Sequence, residues 1–200
     1  SRNIGLDLGT ANSIIYLAGR GIVINEPSVA AVNNKTGKVV AIGSEARKML
    51  GRVPNHITVI RPLVNGVISD FDITQEILRH FFKQLGSSLS LSYSKAVVGV
   101  PSNLTEVERK SVEDVVVGAG ISKAFLIEEP LAAALGARLP INEPTANMVN
   151  DIGAGATEIA IISMGGSVTT RSLKIAGDKL NDDIVRFVRD EFRLIIGEPT

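Results

Sequence analysis

The sequence predicts a mixed α/β protein built on a duplicated nucleotide-binding fold. Three observations carry this. Two matching glycine turns stand far apart, at Asp7-Leu8-Gly9-Thr10-Ala11-Asn12 and at Asp151-Ile152-Gly153-Ala154-Gly155-Ala156-Thr157-Glu158. Each follows an apolar run and precedes another, as a β-hairpin with an acidic residue at its tip would. Between them, short apolar strand runs alternate with amphipathic helical stretches, so antiparallel hairpins feed a sheet that also contains buried strands.

The elements follow in order. Asn3–Asp7, Ser13–Leu17 and Gly21–Ile24 read as strands. Asn25-Glu26-Pro27-Ser28 interrupts, and Val29–Val32 continues as a strand. The Asn33–Lys38 stretch is a turn by its Asn and Gly content, and Val39–Ile42 is a short strand. A brief helix is expected from Ser44 to Leu50, capped by Ser44. Residues 51–70, with their prolines and glycines, read as irregular. Asp72 is the expected cap of a helix to Leu85, because Ile73, Ile77, Leu78, Phe81, Phe82 and Leu85 recur at helical spacing. The run Ala96–Val100 is an apolar strand stopped by Pro101. A helix from Thr105 to Val117 follows and stops at Gly118-Ala119-Gly120. Ala124–Ile127 is a strand and Glu129–Ala137 a helix. After the second hairpin, a helix runs from Asp178 to Ile195, with Leu180, Ile184, Val188 and Phe192 on one face.

The 200-residue chain is 44% apolar, enough for a sizeable core, and has no run of roughly 20 apolar residues. Its 21 basic and 21 acidic side chains cancel, which disfavours a nonspecific nucleic-acid binder. Aromatic residues are only 4%, too few for base-stacking platforms. The absence of cysteine excludes disulfides and thiolate metal sites. The start reads as a strand rather than as the expected pattern of a secretory signal, because Asp7 and Gly9 break the first apolar run.

Phosphates need backbone N–H donors that approach closely, and glycine allows that by lacking a Cβ and tolerating positive φ. Gly9, Thr10, Ala11 and Asn12 offer one donor set, and Gly153, Ala154 and Gly155 a second. Thr10, Asn12 and Thr157 add side-chain groups. Asp7 and Asp151 suit a hard cation such as Mg²⁺. Each turn alone could be an ordinary hairpin with an acid placed for its backbone tolerance. Two equivalent turns in equivalent contexts favour the clamp.

The chain resembles the actin-like ATPases, and within them the bacterial rod-shape-determining MreB family. The stretches that carry the resemblance run through the chain: Asp7–Asn12, Asn25–Val29, Ile60-Arg61-Pro62 with Gly66-Val67-Ile68, and Thr105–Arg109. Phe125–Pro130 with Ala132-Ala133-Ala134, Asp151-Ile152-Gly153, and Ile175–Asp178 complete them. The resemblance implies two lobes on ribonuclease-H-like sheets, with ATP and Mg²⁺ in the cleft between them. The first lobe would span 1–145, with a small inserted subdomain at about 33–70. The second would begin at 146 and be incomplete at 200, so that the chain resembles an N-terminal portion.

The resemblance places Gly9, Thr10, Ala11 and Asn12, and Gly153, Ala154 and Gly155, along the phosphates. Asp7 and Asp151 would sit near the metal and its waters, Asp151 also serving catalysis. Glu108 matches a glutamate that polarises the attacking water. Gly177, Asp178, Lys179 and Asn181 would approach the nucleoside. The implied reaction is slow hydrolysis of ATP, coupled to assembly into filaments that organise cell-wall synthesis under the inner membrane. Leu89, Leu91 and Tyr93 stand where some members carry a membrane-inserting loop, though an edge strand reads equally well there. Cell-wall elongation proteins and other copies of the chain are the implied partners. A cytoplasmic location at the inner membrane face is implied with them.

Two residues keep a second reading. Thr105-Glu106-Val107-Glu108 fits a helix capping box, in which Glu108 bonds back to the cap. Lys179 fits a solvated surface lysine. Ala154 and Ala156 depart from the glycine and threonine usual at those positions, and Asn150 replaces an apolar residue. Other actin-fold classes remain: a heat-shock-type chaperone or a sugar kinase, or a truncated paralogue acting only as a binding module. The compact 33–70 segment and Ile60-Arg61-Pro62 favour the filament class.

Overall fold

A computed structural model describes residues 3–86 and 95–197. Leu89, Leu91 and Tyr93 lie outside the described residues.

The first hairpin is formed by β1 (Asn3–Leu8) and β2 (Asn12–Leu17), and β3 (Gly21–Pro27) extends it antiparallel. On the other side of β1, β9 (Lys95–Val100) and β10 (Lys123–Glu128) pair parallel. The sheet order is therefore β10-β9-β1-β2-β3. Strict alternation in β1 and β2 sends Ile4, Leu6, Leu8, Ile15 and Leu17 to one face. That face packs on α2 (Phe71–Gln84) and α3 (Glu106–Gly118), through Ile77, Leu78, Phe81, Phe82, Val112, Val115 and Val116. This cluster is the main core.

A smaller sheet, β5-β4-β6, is made by β4 (Ala30–Asn33), β5 (Val39–Ile42) and β6 (Ile57–Ile60). The short helix α1 (Ser44–Lys48) packs on it through Ala46, beside Val29 and Ala31. A two-strand ribbon, β7 (Leu63–Val64) and β8 (Val67–Ile68), follows. The second hairpin pairs β11 (Asn147–Ile152) with β12 (Thr157–Ser163), and β13 (Gly166–Leu173) completes a three-stranded antiparallel sheet. The helix α4 (Glu129–Gly136) seals it: Ala134 packs with Ile141, Ala160 and Ile162. The final helix is α5 (Gly177–Phe192).

Several element boundaries differ from expectation. β3 continues through Asn25-Glu26-Pro27, because it is the edge strand and a proline there costs no ladder bond. α1 ends at Lys48, and its cap position is Gly43 at φ 65°, not Ser44. The Ser44 N–H goes instead to the Glu26 carboxylate at 2.7 Å. α2 is capped by Asp70, whose side chain accepts from Ile73 N at 3.0 Å, while Asp72 sits inside the first turn. α5 ends at Phe192 because Arg193 turns left-handed, φ 55°. The segment read as irregular holds β6, β7 and β8. β6 pairs with β4 from elsewhere in the chain, while β7 and β8, two residues each, pair only with each other, and strands this short show no amphipathic period.

Candidate functional site

The C-terminal ends of β1 and β11 and the start of α4 converge on one cavity of about 230 Å³. Asp7, Gly9, Thr10, Ala11 and Asn12 line one wall, and Asp151, Gly153, Ala154, Gly155 and Ala156 the other. Ile14, Gly66 and Glu129 complete it. The two glycine turns expected to face each other do so.

The first loop is fixed from beneath by Ser28. Its hydroxyl donates to the Gly9 carbonyl at 2.7 Å, its N–H donates to the Ala11 carbonyl at 2.9 Å, and Ser13 Oγ lies 2.9 Å from Ser28 Oγ. The second loop is closed by Gly153 N donating to the Ala156 carbonyl at 3.0 Å. The Gly177 and Asp178 N–H groups then donate to the Gly153 and Ala154 carbonyls at 3.1 and 2.9 Å. The turn of the β7–β8 ribbon joins the two loops. Gly66 N donates to Thr10 Oγ1 at 3.0 Å. Gly155 lies so close that a Cβ on it would meet Asn65 Cα and Thr10 Oγ1, each at 2.7 Å.

The glycines serve close approach rather than unusual backbone torsion. Gly9, Gly153 and Gly155 are absent from the positive-φ glycines. A Cβ at Gly9 would meet the Asn12 carbonyl at 2.7 Å. Ala154 also avoids positive φ, which is why alanine fits there.

The cavity is electrically one-sided. Asp7 keeps solvent access along the cleft, yet protein crowding, then the charge of Asp151, raises its carboxyl above the ordinary range. Asp151 is raised by burial and by Glu158. Glu129 is pushed up to about 8, by burial first and then by Asp7, Asp151 and Glu158. Glu158 is 1% exposed and bridges the two halves: its Oε2 accepts from Ser102 N at 3.0 Å.

This donor set suits a hydrated divalent cation. Asp7 and Asp151 repel each other, and a positive charge between them relieves the repulsion. Among the described residues no three carboxylates or histidines converge tightly enough to hold an ion directly. Contact through water matches Mg²⁺, which keeps much of its hydration shell.

Other expected residues lie elsewhere. Glu108 does not line the cleft. It forms the capping box with Thr105: Thr105 N donates to Glu108 Oε2 at 2.7 Å, and Glu108 N donates to Thr105 Oγ1 at 3.2 Å. These bonds hold its carboxyl below the ordinary range. Thr157 turns its hydroxyl to the Ile175 carbonyl at 2.7 Å rather than into the cleft. Lys179 is exposed and pairs with Asp183, one helical turn on. Asn181 is exposed on α5. Asp178 lies 3.7 Å from Arg61, tying the start of α5 to the segment after β6.

Glu129, Gly66 and Ser28 were not among the expected site residues. The doubled acid Glu128-Glu129 before Pro130, at the end of a strand, was the available sign of the first. The Asn65-Gly66 pair, a turn signal between short apolar runs, was the sign of the second.

The parallel strands, the paired hairpins and the cleft between them define an actin-like fold. A double-helical MamK filament structure shares it at TM-score 0.79 and 22% identity, over 98% of this chain and 61% of that one. The match narrows further. The family model described as MreB/Mbl protein covers residues 1–200, and the chain belongs to that family. The cell shape-determining protein Mbl of Bacillus subtilis is 47% identical over 200 residues, all of this chain and 60% of the relative. The crystal structure of Spiroplasma citri MreB 5 bound to AMPPNP superposes at TM-score 0.94, with 40% identity, over 100% of this chain and 60% of that one. The chain thus spans about 60% of the length of these relatives.

Proposed function

We propose that this chain forms the phosphate-binding cleft of an ATP-dependent, cell-shape-determining filament protein. One observation carries the reading: two backbone-donor loops face each other across Asp7, Glu129 and Asp151 in a single cavity. A nucleotide-bound relative and a filament-forming relative of the same fold support it. Self-association, a position at the inner membrane face and contact with cell-wall elongation proteins belong to the same proposal.

The residues divide the work. The N–H groups of Gly9–Asn12 and of Ala154 and Gly155 bind phosphate oxygens, while the Gly153 N–H closes its own loop and Ser28 and the β7–β8 turn hold the loops rigid. Asp7 and Asp151 would hold Mg²⁺. Once bound, the cation offsets phosphate charge and lowers the barrier to attack on the terminal phosphorus. Glu129, whose surroundings hold it largely protonated at neutral pH, would accept a proton from an attacking water once a bound cation favours its carboxylate form. The resemblance gives the water-polarising role to Glu108, which sits in a helix cap. Ala156 offers no hydroxyl in the second loop, so turnover is slow.

Equilibrium binding of ATP, with and without Mg²⁺, tests the reading. Saturable binding strengthened by Mg²⁺ is expected, and an Asp151→Ala variant should bind ATP without the Mg²⁺ enhancement. No saturable binding, either by this chain or by a form of its relatives' full length, would overturn it.

A further inference from the structure

A second cavity, about 580 Å³, lies between β3 and α1 and has a chemistry opposite to that of the cleft. Its size is within the range of small-ligand sites. Asn12 and Asn25, on paired strands two residues out of register, supply amide groups on one side. Pro27 and Leu50 form an apolar wall. Ser44, Arg47, Lys48 and Arg52 line the rest, and among the described residues no acidic side chain does.

The charges are unevenly answered. Lys48 is held by Glu45 at 2.7 Å. The nearby Glu26 carboxylate accepts from Ser44 N at 2.7 Å and does not line the cavity. Arg47 and Arg52 make no ion pair with any described residue. Two guanidinium groups beside two amides form a donor-rich set without an anionic acceptor.

The geometry points to a binding site for a phosphate group in this cavity, held by Arg47 and Arg52. Arginine forks match phosphate oxygens in pairs, and asparagine amides add neutral donors. The placement supports the assignment. Asn12 lines both this cavity and the cleft, so one side chain separates a wall of three carboxylates from a wall of cations. A phosphate anion in this cavity meets the cationic wall directly, whereas in the cleft a divalent cation is needed to offset the carboxylates. The site stands independently of nucleotide binding in the cleft.

Amide NMR of the full chain, titrated with sodium phosphate at constant ionic strength, tests this. Saturable shifts are expected at Asn25, Ser44, Arg47 and Arg52. An Arg47→Gln/Arg52→Gln double variant should weaken that binding by about tenfold or more, as loss of two charge-assisted contacts implies. Both residues are exposed, so its melting curve should match the parent's, and Arg47→Lys/Arg52→Lys should keep part of the affinity. A second arm adds vesicles of phosphatidylglycerol or of phosphatidylcholine. Shifts at the same amides with the first vesicle only, and none with free phosphate, would assign the site to a lipid headgroup phosphate. Equal shifts with sodium chloride, unchanged affinity in the Gln variant, or shifts confined to Gly153–Gly155 would each overturn the proposal.

Discussion

Replacing Glu129 with glutamine isolates the charge chemistry of the cleft. Glutamine keeps the shape and removes the proton. In the folded chain the Glu129 carboxyl is pushed up to about 8, against an ordinary value of 4.5. The folded state therefore holds this proton more tightly than the unfolded state does. The stability it contributes is complete below about pH 4.5 and is lost as pH rises through about 8. At about 1.4 kcal/mol per pH unit, the window sets an upper limit of about 5 kcal/mol. Water in the half-open cleft screens the group and brings the expected loss to roughly 2–3 kcal/mol. The assay is urea denaturation followed by circular dichroism, in the absence of divalent cations, from about pH 5 to about pH 9. The parent should lose stability across that range. Glu129→Gln should lose less, so that it overtakes the parent near the alkaline end. Asp7 and Asp151, raised by burial and neighbouring acids, leave a residual slope in both proteins. Parallel stability curves for the parent and Glu129→Gln would refute the reasoning, because Glu129 would then titrate alike in both states.

Two further outcomes follow from the packing. Gly155→Ala should destabilise by about 1–3 kcal/mol, since its Cβ would fall 2.7 Å from Asn65 Cα and Thr10 Oγ1. Thermal melting checks this against Gly153→Ala, whose nearest contact would be a milder 3.3 Å. Thr105→Ala should cost about 0.5–2 kcal/mol by breaking the α3 cap, with Thr105→Ser near the parent. Chemical denaturation reads both, and equal midpoints for all three would argue against a stabilising cap.

Local patterns determined much of this protein. The apolar runs in Asn3–Asp7 and Ser13–Leu17, and the helical spacing from Ile73 to Leu85, set strand against helix. Side-chain period alone decides which face is apolar. The repeated Asp-x-Gly turns marked both loops of the cleft, and Thr105 with Glu108 marked a helix start. Such signals lie within a few residues of each other, so the sequence displays them directly.

Tertiary structure decided what depends on distant partners. The strand Ile57–Ile60 exists because Ala30–Asn33 lies beside it. Asp70, rather than Asp72, caps α2 because its extended backbone, φ −133°, lets the carboxylate reach Ile73 N. Glu108 and Glu129 are both acids near helix starts; the local pattern reads Glu108 as a cap, and the family resemblance alone pointed to it as the catalytic group. Only the convergence of β1, β11 and α4 shows that Glu129 shares a cavity with Asp7 and Asp151, while Glu108 is engaged by Thr105. An ionisable group takes its role from the charges and the burial around it. Those are supplied by residues up to a hundred and more positions away, so no local pattern in the chain could have carried them.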